Sequence, residues 1–314
     1  MDTLRGGAIL LMLLWHATSL PRLEGIPVPE GLAAANDFFA PFRMPTLMFL
    51  SGLLLPRSLG KPLGTYYRGK VALIVWPYLL WAVFYFVLSG DLWKVAAPKA
   101  YIAATYLWYL FYIASYYLLA PALRRLSPLL VAGVALAASF VVDQPLLHRM
   151  TYFAVFFFTG AWVAQRLPDP TVLLRGRVRL LLLGVPALAL GVAAALLTLR
   201  YESITVPLSF AGIAVAIAAA AAVPSLRSAR IRFVGRNSIV FYAVHYPVMW
   251  VLVQAGDRLG APWWVLLPVL LAAGVAAGWA VARVRDRVPV RWLFELPLPR
   301  RARRADRPAA VPAS

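Results

Sequence analysis

Long apolar runs separated by short charged segments constrain this chain more than any other feature. A helix needs ~17 to 25 apolar residues to cross a bilayer. About ten runs approach that length, at 4–20, 37–56, 70–88, 102–121, 128–142, 150–166, 179–198, 204–223, 237–254 and 263–282. Hydrocarbon offers no water to backbone groups, so each run must close its own hydrogen bonds as a helix. The expected fold class is therefore all-α, a polytopic membrane helical bundle of about ten transmembrane helices. The fifth run is short and contains Gly133, which predicts a broken or re-entrant element there. With 62% of residues hydrophobic and 14% charged, no length remains for a soluble domain. Residues 1–283 are the expected transmembrane domain. Residues 284–314, rich in Arg, Pro and Ala, read as a disordered cytoplasmic tail held near anionic lipid head groups.

Charge tests the span count independently, because short cytoplasmic loops collect Lys and Arg. With the N-terminus inside, the basic segments 57–70, 124–125, 166–179 and 227–236 and the tail all fall on one face, and the opposite segments nearly balance. The formal excess of +19 thus sits on the cytoplasmic side of a plasma or inner membrane, with both termini inside. The basic balance is a topology signal, and the bilayer rather than nucleic acid is the expected partner. A cleaved signal peptide over residues 1–19 is disfavoured, since Asp2 is foreign to a basic leader and removal would upset the alternation. The chain has no cysteine, which excludes disulfides, thiolate metal ligands and a cysteine-borne acyl group. No metal site and no prosthetic group is expected.

The first apolar run carries Arg5 near its start and His16 deep inside. At about 100° per residue, the eleven steps between them end only about 20° past three whole turns, so both lie on one helix stripe, ~16 Å apart. Ionisable residues inside a membrane are costly and normally face the bundle interior. A cation at one depth and an imidazole at another suit a long donor with phosphates at one end and a reactive carbon at the other, as in an acyl-CoA. The plain alternative is an arginine that snorkels to the interface and a histidine hydrogen-bonded between helices.

The second run holds Arg43, Pro45, Ser51 and Gly52; Arg43 is expected at a depth near His16, and Ser51-Gly52 permits close helix approach. Asp37 is weighed as a carboxylate to orient His16 and, more readily, as a helix N-cap. Arg149 with Tyr152 starts the sixth span, where the pair suits either a sugar contact or an interfacial anchor. Trp15, Trp81, Trp108 and Trp162 fit lipid belts or packing, and 208–222 reads as featureless scaffold.

In order along the chain, Asp2, Arg5-Gly6 and His16, then Arg43-Met44-Pro45 with Ser51-Gly52, Arg68 and Lys70 before Trp76-Pro77-Tyr78, Leu107-Trp108-Tyr109-Leu110 with Pro121, Phe157-Phe158-Thr159-Gly160, and Gly235-Arg236-Asn237-Ser238 followed by Tyr242 and His245 form a recurring set. This set resembles the integral membrane acyltransferase-3 family, which includes polysaccharide O-acetylases. One departure is Tyr106, where relatives often carry a histidine. The resemblance implies an O-acyltransferase that takes an acyl group from a cytoplasmic acyl-CoA co-substrate to a hydroxyl of an envelope or exported carbohydrate, with His16 catalytic; acetyl, from acetyl-CoA, is the expected group.

An imidazole with an ordinary pKa near ~6.5 supplies a neutral base at neutral pH. The expected acyl-CoA-binding residues are Arg5, Arg68, Lys70 and Arg236. The expected substrate pocket comprises Asp2, Arg43, Ser51, Arg149, Tyr152, Ser238, Tyr242 and His245. His245 is expected to support from near the midplane, one turn beyond Tyr242, at the thioester end of the donor. The competing function is a transporter or flippase for a lipid-linked glycan, with His16, Arg43 and His245 as pathway residues.

Overall fold

The computed structural model describes residues 1–167, 176–222 and 228–297. The described residues are overwhelmingly helical and contain no strand. In chain order the helices are α1 (Asp2–Leu23), α2 (Glu30–Phe38), α3 (Ala40–Gly52), α4 (Leu55–Leu59), α5 (Leu63–Lys70), α6 (Trp76–Leu88), α7 (Trp108–Leu119), α8 (Pro128–Val141), α9 (Pro145–Arg166), α10 (Arg177–Leu197), α11 (Val206–Ala222), α12 (Ala229–Arg236), α13 (Ser238–Arg258) and α14 (Trp263–Val284).

Among the described residues, six helical stretches are long and apolar enough to cross a membrane: Glu30–Leu59, Leu63–Leu88, Val178–Leu197, Ser203–Ala222, Ser238–Arg258 and Trp263–Val284. The other four expected runs are helical wholly or in part. Helices α1 and α9 have 22 residues each, but their interior faces carry polar groups such as His16 in α1. Helix α7 is only 12 residues long because the chain enters it through a single 3-10 turn, Thr105–Leu107. Helix α8 has 14 residues, ~21 Å of rise, and packs along α9. It runs unbroken through Gly133, contrary to the expected interruption.

Close backbone approach sets the packing around α1 and α3. A Cβ at Gly52 would strike the Phe157 carbonyl of α9, and one at Gly160 would strike the Phe49 carbonyl of α3, so two glycines let these helices touch backbone to backbone. Gly6 against Ile231 and Gly235 against the Asp2 carbonyl do the same for α1 and α12. In lipid, small residues at such crossings allow the dispersion contact that holds helices together. Helix α1, thus gripped, also packs on α3, α13 and α14 and lies at the centre of the bundle.

The segment after α14 differs from the expected disordered tail. Through residue 297 it folds back on α6 and the π-helical turn Val71–Val75 that precedes it. Trp76 Nε1 donates to the Trp292 carbonyl at 2.7 Å, Trp81 Nε1 to Leu293 at 3.1 Å, and Leu296 N to Ala72 at 3.0 Å, while Phe294 is buried. Indole donors within an apolar helix need acceptors, and this return segment supplies them. The remaining tail, and the loop charges Asp169, Arg175 and Arg227, lie outside the described residues.

Candidate active site

One stripe of α1 serves two cavities. Arg5 and Ile9 line a cavity of about 250 Å³, and Met12 and His16, one and two turns further on, line another of about 150 Å³. The spacing 5, 9, 12, 16 is the i, i+4, i+7, i+11 progression of a helix face, so the Arg-His stripe extends across both. Tyr242 of α13 belongs to both linings and stands between them.

In the second cavity His16 meets another imidazole. His245 Nδ1 lies 2.9 Å from the Phe241 carbonyl oxygen, which only accepts, so Nδ1 carries the proton. His245 Nε2 is then an acceptor, 3.1 Å from His16 Nδ1. His16 Nδ1–H therefore donates, shared between His245 Nε2 and the Met12 carbonyl at 3.1 Å. This chain of assignments leaves His16 Nε2 with a free lone pair, the state of a general base. His245 is completely buried and His16 nearly so. Tyr246 stands edge-on to His16, and Tyr106 stacks on Tyr246 with centroids 4.4 Å apart. Tyr106 takes up its own hydroxyl in a 2.9 Å bond to the Ala243 carbonyl, and Tyr242 donates to the Tyr106 carbonyl. These bonds lock the aromatic wall behind the imidazoles.

The opposite wall is cationic. Arg43, only 4% exposed, donates to the Asn36 carbonyl at 3.3 Å and sits 5.1 Å over the Trp15 ring. Arg149 and Arg200 complete the lining with Trp108 and Tyr201. Asp37 neither caps a helix nor touches His16. It lies in the last turn of α2, where both its oxygens take Arg200 Nη2, at 2.8 and 3.1 Å. The orienting partner sought among carboxylates is instead the second histidine and a backbone carbonyl.

The Arg5 cavity sets hydroxyls among leucine and isoleucine side chains. Tyr109 donates to the Leu47 carbonyl at 3.1 Å and pairs with Ser51 at 3.1 Å, and Tyr117 donates to the Ser51 carbonyl at 2.7 Å. Ser238 adds a further hydroxyl side chain to the lining. Lys70 approaches only indirectly, with Nζ 3.5 Å from the Tyr117 ring centroid and 3.1 Å from Ser58 Oγ.

The structure thus gathers Arg43, Arg149, Tyr242 and His245 around His16, and Ser51, Ser238 and Tyr242 around Arg5. It does not bring in four others. Arg68 and Arg236 are exposed and line neither cavity, Asp2 packs its backbone against Gly235, and Tyr152 is fully buried against Phe153, Phe156 and Tyr201. Tyr152 lies about one turn deeper along α9 than the exposed Arg149, and at that depth its ring is enclosed by the core. Sequence reading missed Arg200, Tyr201, Tyr106 and Tyr109 as cavity walls and took Trp15 and Trp108 for belt or packing. Tyr106 and Tyr109 stand beside or within the Leu107–Leu110 motif, whereas Arg200 meets Asp37 across 163 positions, which no local pattern announces. Among the described residues no cluster of His, Asp and Glu suits a metal ion.

The His16–His245 pair and the two cavities that meet at Tyr242 thus lie inside an apolar helical bundle. The model of the acyltransferase domain family matches residues 1–283, and the chain belongs to this acyltransferase-3 family. It is an acyltransferase and a multi-pass membrane protein, which sets aside the transporter alternative. No curated protein and no solved structure matches the chain.

Proposed function

We propose that this enzyme transfers acetyl from cytoplasmic acetyl-CoA to a hydroxyl of an envelope or exported carbohydrate, across the depth of the plasma or inner membrane. The observation that supports the reading is the His245–His16–Met12 arrangement, in which His16 Nδ1 is engaged and Nε2 keeps its lone pair. Arg5 holds donor phosphate at the cytoplasmic end, and the thioester reaches past Tyr242 to His16. The acceptor oxygen attacks the thioester carbonyl carbon while His16 Nε2 takes the hydroxyl proton. The carbon–sulfur bond breaks, and the proton passes to the departing CoA sulfur, leaving an ester and free CoA. Direct transfer is preferred because the chain has no cysteine to carry the acyl group.

The test is acetyl-CoA consumption by the purified full-length chain with and without candidate glycans, followed by mass spectrometry of the glycan. Acceptor-dependent consumption that disappears in His16→Ala supports the reading, and turnover retained in folded His16→Ala overturns it. The orientation has its own test, since a periplasm-active reporter fused near Glu24 or Lys94 should work and one fused near Gly176 should not. The reverse pattern would put Arg5 on the wrong side for a cytoplasmic donor.

A further inference from the structure

Pro77, at the second position of α6, leaves a gap in the hydrogen bonding of the helix before it. A proline has no N–H, and its ring collides with the carbonyl four residues back. The preceding turn, Val71–Val75, is π-helical, with Trp76 N–H bonded to the Val71 carbonyl five residues back. That takes the Trp76 N–H away from Ala72, whose carbonyl it would serve in an α-helix, and the next donor in line is the one Pro77 lacks. The Ala72 carbonyl is left over, on a residue only 6% exposed, where an unpaired group is costly.

Leu296 N–H meets that carbonyl at 3.0 Å. The segment that brings it is held by other bonds as well. Trp76 and Trp81 donate their indole N–H groups to the Trp292 and Leu293 carbonyls, and Phe294 packs on Trp81 with ring centroids 5.8 Å apart. A distant stretch of chain thus completes the bonding of one turn.

That turn carries part of the Arg5 cavity. Ile74 lies within it and lines the cavity. Helix α5, just before it, sets Lys70 Nζ 3.5 Å from the Tyr117 ring centroid and the Tyr66 hydroxyl 2.6 Å from the Tyr117 carbonyl oxygen, and Tyr117 lines the same cavity. An α-helical turn takes up one residue fewer, so reversion would rotate these side chains by about 100° against α6.

We propose that residues 289–296 are a positioning strap for the donor site: by pairing with Ala72 they hold the turn in its π register and keep Ile74, Tyr66 and Lys70 against the Arg5 cavity. The proposal rests on the reading of that cavity as the acyl-CoA site. Without the strap, Ala72 regains the Trp76 N–H, the turn becomes α-helical, and the wall rotates away from the donor.

The absence of cysteine makes this testable, since Ile74→Cys gives the full-length chain a single thiol. Its reaction with an anionic methanethiosulfonate is measured in nanodiscs with the strap intact, with Trp76→Phe and Trp81→Phe together, and with Leu296→Pro. The paired substitutions remove both indole bonds and keep the rings, while Leu296→Pro removes the N–H on Ala72. Each should slow labelling roughly tenfold, because the thiol leaves the neighbourhood of Arg5, whose charge favours its reactive anion. In chains that keep Ile74, each should raise the Kd of acetyl-CoA about tenfold, with kcat little changed. Unchanged labelling in both backgrounds overturns the proposal, and so does faster labelling, the sign of a loosened bundle. Slower labelling with acetyl-CoA affinity that falls in Arg5→Ala but not in the strap variants overturns it too. Labelling needs no donor, so failure of the donor reading shows separately: acetyl-CoA affinity indifferent to Arg5→Ala moves the donor elsewhere, while slower labelling still establishes the strap's hold on the turn.

Discussion

The two ends of the α1 stripe are built from opposite materials. Around Arg5 the walls are leucines and isoleucines with phenols and serines set among them, Tyr109 and Tyr117 donating to backbone carbonyls, and one cation. Around His16 the walls are three guanidiniums and the rings of Trp15, Tyr106, Trp108, Tyr201 and Tyr242, with His245 bonded to His16 and Asp37 paired to Arg200. In the proposed reading the first end grips an anion without altering it, and the second both binds and takes a proton. The difference shows that one helix face can set two chemistries in line when different neighbours close each cavity.

The sharpest way to break this contrast is at His16. His16→Ala should lower turnover by about 10² to 10⁴, the usual worth of a general base, with acetyl-CoA binding intact. A loss confined to donor affinity would move the chemistry to the other cavity.

His245 comes next, as a positioning residue. His245→Ala should cost about 10² in turnover, since a misplaced imidazole loses its attack geometry. His245→Gln keeps an oxygen that can accept from His16 Nδ1–H and should recover most of that loss, whereas His16→Gln should recover none. Equal and complete loss in both glutamine variants would point to two proton-transferring histidines.

At the opposite end, Arg5→Ala should raise KM for acetyl-CoA by roughly tenfold to a hundredfold, the worth of a hydrogen bond to a charged group, with a smaller fall in kcat. Arg5→Lys should restore little of it, because an ammonium lacks the guanidinium fork. A pure kcat effect would show that Arg5 does not hold the donor.

The smallest effect belongs to the boundary between the cavities. Tyr242→Phe removes one bond to the Tyr106 carbonyl and should change turnover by less than about tenfold. Tyr242→Ala joins the cavities and should raise acetyl-CoA hydrolysis in the absence of acceptor. An unchanged hydrolysis rate would remove Tyr242 from the path of the thioester.

Much of this was legible beforehand, and for identifiable reasons. The runs at 179–198, 204–223, 237–254 and 263–282 coincide closely with α10, α11, α13 and α14, because apolar length and the need to satisfy backbone groups act locally. The Arg5–His16 stripe was readable from the helical period alone. The shortness of α7 was not: Thr105 adopts φ of 42°, a left-handed conformation that no apolar run announces. The folded segment at 289–296 was also hidden, since its hydrogen-bond partners Ala72, Trp76 and Trp81 lie more than 200 positions away.

The sequence by itself determined the class of molecule, most of the long helices and the common stripe of Arg5 and His16 on α1, because hydrophobic length and helical phase belong to neighbouring residues. Only the tertiary structure decided which nitrogen of His16 is free, that Asp37 serves Arg200, and that a return segment supplies the N–H that Pro77 lacks. Those outcomes depend on helix rotation and close approach at glycines such as Gly52, Gly160 and Gly235, where a few ångströms choose the partner of every buried polar group.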